Sequence, residues 1–342
     1  MLAALRALTR FLDERIGWHR IGIALSIAIL VIAGVALYRV LRGLALNEVM
    51  TALRATPVRS VVLSGLCVAA AYATLTFYDL FALRTIGKGH VPYRIAALAG
   101  FTSYSVGHNV GVTALTGGAV RYRIYSIWGL TVMDVAKICF VAGLTFWLGN
   151  ATVLGLGIAV EPSAASAIDQ LPPWLNRVLA AAMLAMLAAY VAWVWNKPRV
   201  IGKDNWEVTL PGGPLTLLQI VIGIADLGFC TLAMYLLLPA EPHTAFVPIA
   251  VIFVSATLLG FASAAPGGIG VFDVAMLVAL LREQFMREDV VAGLLLFRVL
   301  YYVVPFVIAL TILGIRELLL DVKELTHPEM VPPPGGETHE GG

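Results

Sequence analysis

Charge is scarce in this chain: 23 Lys and Arg and 21 Asp and Glu among 342 residues, 13% in all, against 60% hydrophobic residues. A water-soluble fold of this length needs far more polar surface, so the composition points to an all-α polytopic membrane protein. The small net charge of +2 gives no nucleic-acid footprint. Cysteine is equally rare. Cys67, Cys139 and Cys230 fall in apolar runs without paired ligand spacing, which argues against disulfides and zinc, and no metal or cofactor is expected. Enzyme signatures are missing as well. GKGHV at 87–91 does not fit a phosphate-binding loop, GGIG at 267–270 follows no strand, and neither H-E-x-x-H nor G-x-S-x-G occurs. An intramembrane enzyme would have only His108 and Asp273 to work with, so the chain reads as a non-enzyme.

What is present is a set of long apolar runs with two conspicuous interruptions. GFASAAPGGIGVFD at 260–273 places Pro266, Gly267, Gly268 and Gly270 where a spanning helix needs hydrogen-bonded backbone, and GHNVGVTALTGGAVRYR at 107–123 breaks an earlier run with Gly117 and Gly118. Irregular backbone at membrane depth is tolerated only where protein or a water-filled cavity satisfies it, and paired breaks in two halves of a membrane protein point to a binding site. The two breaks are therefore expected to be re-entrant, with Thr116, Gly117 and Gly118 in the first and Pro266, Gly267, Gly268, Gly270 and Asp273 in the second.

Around them, spans are expected near 21–38, 60–83, 132–154, 174–195, 214–238 and 290–314. Residues 1–20, with Arg6, Arg10, Arg15 and Arg20 among apolar positions, read as an amphipathic helix on the cytoplasmic surface and not as a signal peptide. Residues 323–342, rich in Pro, Gly and Glu, read as a disordered tail. Loop charge sets the orientation: the loop at 155–173 has no Lys or Arg and lies outside if the first break is re-entrant, with Arg84–Arg94, Arg121, Arg123, Lys197–Lys203 and Arg316 inside. Arg39, Arg42, Arg54 and Arg59 disagree, which assigns their helix to the interface. Six crossings put both termini in the cytoplasm, and three crossings per half make the halves, 21–154 and 174–316, inverted repeats.

Hand alignment of the halves gives the same order twice: Asp79, Gly117 and Lys137 in the first, and Asp226, Gly267 and Arg298 in the second, with Tyr301 one turn beyond Arg298. Ionisable groups near a bilayer centre cost about 2.5–3.5 kcal/mol on insertion scales, so they usually face the protein interior and have a task. Blander readings exist for several. Asp79 near a span end could snorkel to headgroups, Asp134 and Lys137 could neutralise each other, Asp273 could merely cap a half-helix, and His108 and Asn109 could be packing residues. A site built from these parts would take an anion such as phosphate on half-helix N-termini and Arg121, Arg123, Arg298 and Lys137, with Asp79 and Asp226 suited to an amine or a coupling proton.

TGGAVRYRIYSIWGLT at 116–131, FASAAPGGIGVFD at 261–273, FYDLFALR at 77–84 and FRVLYY at 297–302 resemble the transmembrane domain of the lysylphosphatidylglycerol synthase/flippase family, the multiple peptide resistance factors, and its stand-alone relatives. The resemblance covers about 20–316. It implies a flippase moving aminoacylated phosphatidylglycerol from the inner to the outer leaflet of the bacterial cytoplasmic membrane, a link to antimicrobial peptide resistance, and functional residues at Asp79, Asp226 and Arg298. Only a short polar tail follows Ile315, so synthase activity is not expected. The partners implied are phospholipid and membrane, with a lipid synthase in trans and a second copy of the chain as further candidates. The alternative is a non-transporting lipid-binding partner or anchor of such a synthase.

Overall fold

A computed structural model describes residues 46–326, apart from positions 112, 196, 198, 204, 205 and 264. The surface helix expected over 1–20, the span expected over 21–38 and positions 327–342 of the tail lie outside the described residues. The described chain is almost wholly helical. In order it forms α1 (Leu46–Ala55), α2 (Val58–Thr85), α3 (Tyr93–Val110), α4 (Thr113–Tyr125), α5 (Val132–Val160), α6 (Pro162–Asp169), α7 (Pro173–Trp195), a β-hairpin of β1 (Val200–Lys203) and β2 (Trp206–Thr209), then α8 (Gly213–Tyr235), α9 (Phe246–Ala262), α10 (Val271–Arg282), α11 (Arg287–Arg298) and α12 (Val304–Thr326). A π turn, Val299–Val303, joins α11 to α12.

Five of these stretches are long and apolar enough to cross a membrane: α2, α5, α7, α8 and the run Arg287–Arg316 through the π turn. They match the five expected spans that fall on described residues. The chain is thus a multi-pass membrane protein. Helix starts are set by local chemistry. Pro57 and Pro92 stand before α2 and α3 in extended backbone. Thr131 caps α5, its side chain accepting from the Asp134 N–H at 3.2 Å while Asp134 accepts from the Thr131 N–H at 2.9 Å. Asp134 also pairs with Lys88 at 3.2 Å, so it serves the helix end and does not neutralise Lys137. α1 packs against α11, as a short helix separated from α2 by Thr56 and Pro57. α12 runs to Thr326 and so enters the first residues of the expected tail.

Each Gly-rich interruption is the bend of a helical hairpin, α3 with α4 and α9 with α10, whose two helices pack on each other. The second bend is where it was expected. Pro266–Gly268 forms a single 3-10 turn, and Gly267, Gly268 and Gly270 take φ of 59°, 61° and 84°, a region closed to most side chains. The first bend is displaced from the expected one. Thr116, Gly117 and Gly118 lie inside α4, and the chain reverses at Gly111, φ 87°. Gly117 serves proximity instead: a Cβ on it would stand 3.1 Å from the Ser103 carbonyl oxygen of α3, whereas one on Gly118 would meet only the Cys139 sulfur at 3.7 Å.

The hairpins exchange partners across the molecule. The first packs through α3 on α2 and on α12, and the second packs through α9 on α8 and on α5. Between them α2 and α8 lie side by side, with the Ser64 hydroxyl donating to the Ala233 carbonyl at 2.8 Å. α5 crosses α8 where Gly149 meets Gly223, so closely that a Cβ on either would lie 2.7 Å from the other's Cα. One core, built on Tyr72, Leu227, Met234, Ile252, Phe272 and Phe297, fills the space among α2, α8, α9, α10 and α11. A second, with Leu83, Ile124, Tyr125, Val135 and Ile138, joins α2, α4 and α5, and Val208 of the β-hairpin belongs to it.

Candidate functional site

The two bends meet. A Cβ on Gly111 would stand 3.2 Å from Pro266 Cα, and one on Gly267 would stand 3.4 Å from the His108 carbonyl oxygen. Small residues at both tips let two backbones approach where larger ones would hold them apart. Asn109 secures the first tip, its amide donating to the Ser105 carbonyl at 2.8 Å and to the Tyr302 carbonyl at 3.1 Å, which ties it to the π turn. A π turn leaves carbonyls without their usual helical donors, and here one finds a side chain. In the second tip the Ser263 hydroxyl donates to the Gly260 carbonyl at 2.6 Å, and the Gly270 N–H donates to Asp273 at 2.9 Å. Asp273 does cap its half-helix, as the simpler reading expected.

Each hairpin also carries one side of an arginine–carboxylate pair. In the first, Arg121 of α4 clasps Asp79 of α2, with Nη2 2.7 Å from Oδ1 and Nε 3.0 Å from Oδ2, and the Tyr125 hydroxyl donates to the same carboxylate at 2.8 Å. Both side chains are sealed, at 3% and 0% exposure, so Asp79 does not snorkel. In the second, Arg298 of α11 clasps Asp273 of α10 through Nε at 3.0 Å and Nη2 at 2.8 Å, and Nη1 donates to the Gly267 carbonyl at 2.6 Å. This pair keeps 17% and 15% exposure. Such fork-to-fork geometry fixes orientation as well as charge.

An aromatic ladder connects the two guanidinium groups. Arg121 lies 4.7 Å from the Tyr104 ring, Tyr104 is 5.7 Å from His108, His108 is 6.5 Å from Tyr302, and Arg298 lies 4.8 Å from Tyr302. Tyr301 stacks on His108 at 5.9 Å and on Phe297 at 5.2 Å. The rings' negative faces help hold the cations where water is scarce, each contact worth about 2 kcal/mol when desolvated. His108 Nδ1 is buried without a hydrogen-bond partner among the described residues.

Asp226 of α8 lies behind this ladder. It is 4% exposed, and Tyr78, itself 6.1 Å from Tyr104, donates its hydroxyl to Oδ2 at 3.1 Å. It therefore has hydroxyl neighbours, and no cation pairs with it among the described residues.

The structure thus brings together Asp79, Arg121, His108, Asn109, Asp226, Asp273, Arg298, Tyr301 and the second Gly-rich bend. Arg123 is exposed on α4, and no hydrogen bond or ring contact described for the cluster joins Lys137, half-buried on α5, to it. Arg121 clasps its carboxylate from the hairpin helix α4, whereas Arg298 does so from α11 of the span run. Sequence reasoning overlooked Tyr78, Tyr104, Tyr125 and Tyr302. Their signal was available, since a tyrosine within an apolar run needs a partner for its hydroxyl or a cation for its ring.

No family model matches the chain. It is 32% identical over 255 residues to the uncharacterized protein slr0712 of Synechocystis, covering 74% of this chain and 78% of that protein. It is 28% identical over 249 residues to the inner membrane protein YbhN of Escherichia coli, covering 71% and 76% respectively. It is also 27% identical over 297 residues to the phosphatidylglycerol lysyltransferase of Staphylococcus aureus, covering 84% of this chain and 33% of that larger protein. With its helical spans, paired Gly-rich hairpins and these likenesses, the chain belongs to the membrane-protein family that unites slr0712 and YbhN with the membrane region of the lysylphosphatidylglycerol synthase/flippases.

Proposed function

We propose that the chain is a lipid flippase that carries an anionic or zwitterionic phospholipid headgroup, with aminoacylated phosphatidylglycerol the favoured substrate, from the inner to the outer leaflet of a bacterial cytoplasmic membrane. The observation that carries this reading is the pair of hairpins meeting tip to tip, with an arginine on each side of their contact and an aromatic ladder between. A headgroup dragged through hydrocarbon unaided must shed its water, which is what makes spontaneous flip slow. A route lined by these groups supplies substitutes while the acyl chains stay in lipid.

In this reading both hairpins are re-entrant, six spans form two inverted repeats, and both termini are cytoplasmic. The exchange of partners, with each hairpin packed on the last span of the opposite half, supports such a relation. Arg298 is the phosphate receptor. Its fork is occupied by the Asp273 carboxylate, and a phosphate presents two oxygens to a guanidinium in the same manner. The partial exposure of this pair suits exchange of one anion for another. Arg123, exposed on α4, meets the phosphate on the first hairpin's side, Asp226 receives the amine or a proton, and the sealed Arg121–Asp79 pair holds α4 to α2 as the molecule rocks. The name of the Staphylococcus aureus relative favours lysylphosphatidylglycerol as the first lipid to test.

The test is leaflet exchange of labelled lysylphosphatidylglycerol in proteoliposomes. The native chain accelerates exchange, and Arg298→Ala and Asp226→Ala, each verified as folded, abolish it. Binding of the lipid with exchange at the protein-free rate, with and without a proton gradient, would replace transport by the anchoring role.

A further inference from the structure

The hydrogens around Asp226 do not add up for a carboxylate. Thr74 Oγ1 lies 3.3 Å from Asp226 Oδ1, close enough for a hydrogen bond. Yet the same hydroxyl is 2.6 Å from the Ala71 carbonyl oxygen, which can only accept. A hydroxyl has one hydrogen, and the shorter contact claims it, so Thr74 turns a lone pair toward Oδ1. Two acceptors at that distance repel unless the carboxyl carries the hydrogen between them. Cys230 Sγ, at 3.9 Å from Oδ1, is a weak donor at best. Oδ2 already accepts from the Tyr78 hydroxyl at 3.1 Å. A protonated acid satisfies both oxygens, one as donor and one as acceptor, whereas an ionised one at 4% exposure would have, among the described residues, a single strong donor and no counter-charge.

The surroundings agree. Among the described residues, the titratable groups that interact with Asp226 are Tyr72 and Tyr78 of α2, Tyr104 of α3, Cys230 of its own helix and Tyr301 of the π turn, all of them neutral acids at ordinary pH. Arg121 stands beyond Tyr104 and is held by Asp79. Asp79 and Asp273 have a guanidinium each, and Asp226 stands apart from both.

We propose that Asp226 is a proton-binding site, the proton residing on Oδ1 with Thr74 Oγ1 as its acceptor, and that loading and release of this proton drive lipid movement. The second half of the proposal rests on the flippase reading above; the first does not. When the helices part and water reaches the pocket, the O–H bond breaks, the proton passes to water, and a solvated carboxylate remains. Closing without a proton would strand a charge, so the closed state selects the loaded carboxyl.

Infrared spectroscopy of the purified full chain tests the site itself. At neutral pH the native protein shows the carbonyl stretch of a protonated carboxylic acid that moves in heavy water. That band is missing from Asp226→Asn, retained in Asp273→Asn, and shifted in Thr74→Val, which keeps the acid but removes its acceptor. A native spectrum with no Asp226-dependent band overturns the proposal, and so does a band that Thr74→Val leaves in place.

Coupling is read separately in proteoliposomes. For one proton per lipid, a gradient of about one pH unit drives labelled lysylphosphatidylglycerol toward a leaflet ratio of about tenfold. Asp226→Asn gives no gradient-dependent asymmetry. A variant that follows the gradient as the native chain does overturns the coupling. Absence of any exchange by the native chain would instead sink the flippase reading, while the infrared band still decides the proton site.

Discussion

The two arginine–carboxylate pairs use the same fork geometry in opposite arrangements. In the first half the acid sits on a span, Asp79 of α2, and the base on a hairpin, Arg121 of α4; in the second the acid sits on the hairpin, Asp273 of α10, and the base on the span run, Arg298 of α11. The first is sealed and gains a third donor from Tyr125, whereas the second is partly open and shares its guanidinium with the Gly267 carbonyl. A sealed pair whose partners both leave water has no replacement ligand at hand, so it acts as a fastening of α4 to α2. A partly open pair on a bend of glycines can trade its carboxylate for another anion, so it suits a receptor.

That contrast can be broken first at the sealed pair. Arg121→Ala leaves Asp79 buried without a counter-charge and should cost about 3–5 kcal/mol. The expected result is loss of most folded, monodisperse protein, measured by thermal unfolding in detergent. Arg298→Ala should cost less stability and instead remove exchange. The contrast fails if the two variants unfold equally. A finer cut is Arg298→Lys, which keeps the charge and loses the fork. Its expected signature is a melting temperature near native with leaflet exchange reduced on the order of tenfold, about 1.4 kcal/mol. Gly267→Ala strains a bend held at φ 59° and should cost about 1 kcal/mol of stability, with slower exchange as the second readout. The smallest effect is expected at Asp134→Asn, where the acid serves only the start of α5 and Lys88. A loss of about 1 kcal/mol or less in unfolding and an unchanged exchange rate would mark it as structural.

How much of this was legible in the sequence follows from what kind of pattern each feature leaves. Spans are written in composition over twenty or so residues, and the five that could be compared came out in place. The second bend was legible because Pro266 and three nearby glycines together permit little else. The first misled because glycine has two uses: Gly117, inside α4, permits close packing against α3, and the lone Gly111, less conspicuous in the sequence, makes the turn.

Ion pairing was the least legible. Asp134 and Lys137 suggested a local pair by their spacing, yet the capping box with Thr131 claimed the acid. The real pairs join Asp79 to Arg121 and Asp273 to Arg298 across different helices, a fact set by how hairpins dock and not by any local period.

The crossing of α5 and α8 has a mechanical meaning. Where Gly149 and Gly223 touch, backbone rests on backbone, and one turn away the Gln219 side-chain amide of α8 donates to the Thr145 hydroxyl of α5 at 2.8 Å. Backbones in direct contact can neither draw closer nor tilt far without collision, and a buried hydrogen bond beside them resists sliding of one helix along the other. The crossing is thus a pinned joint between α5 and α8 and not a sliding one.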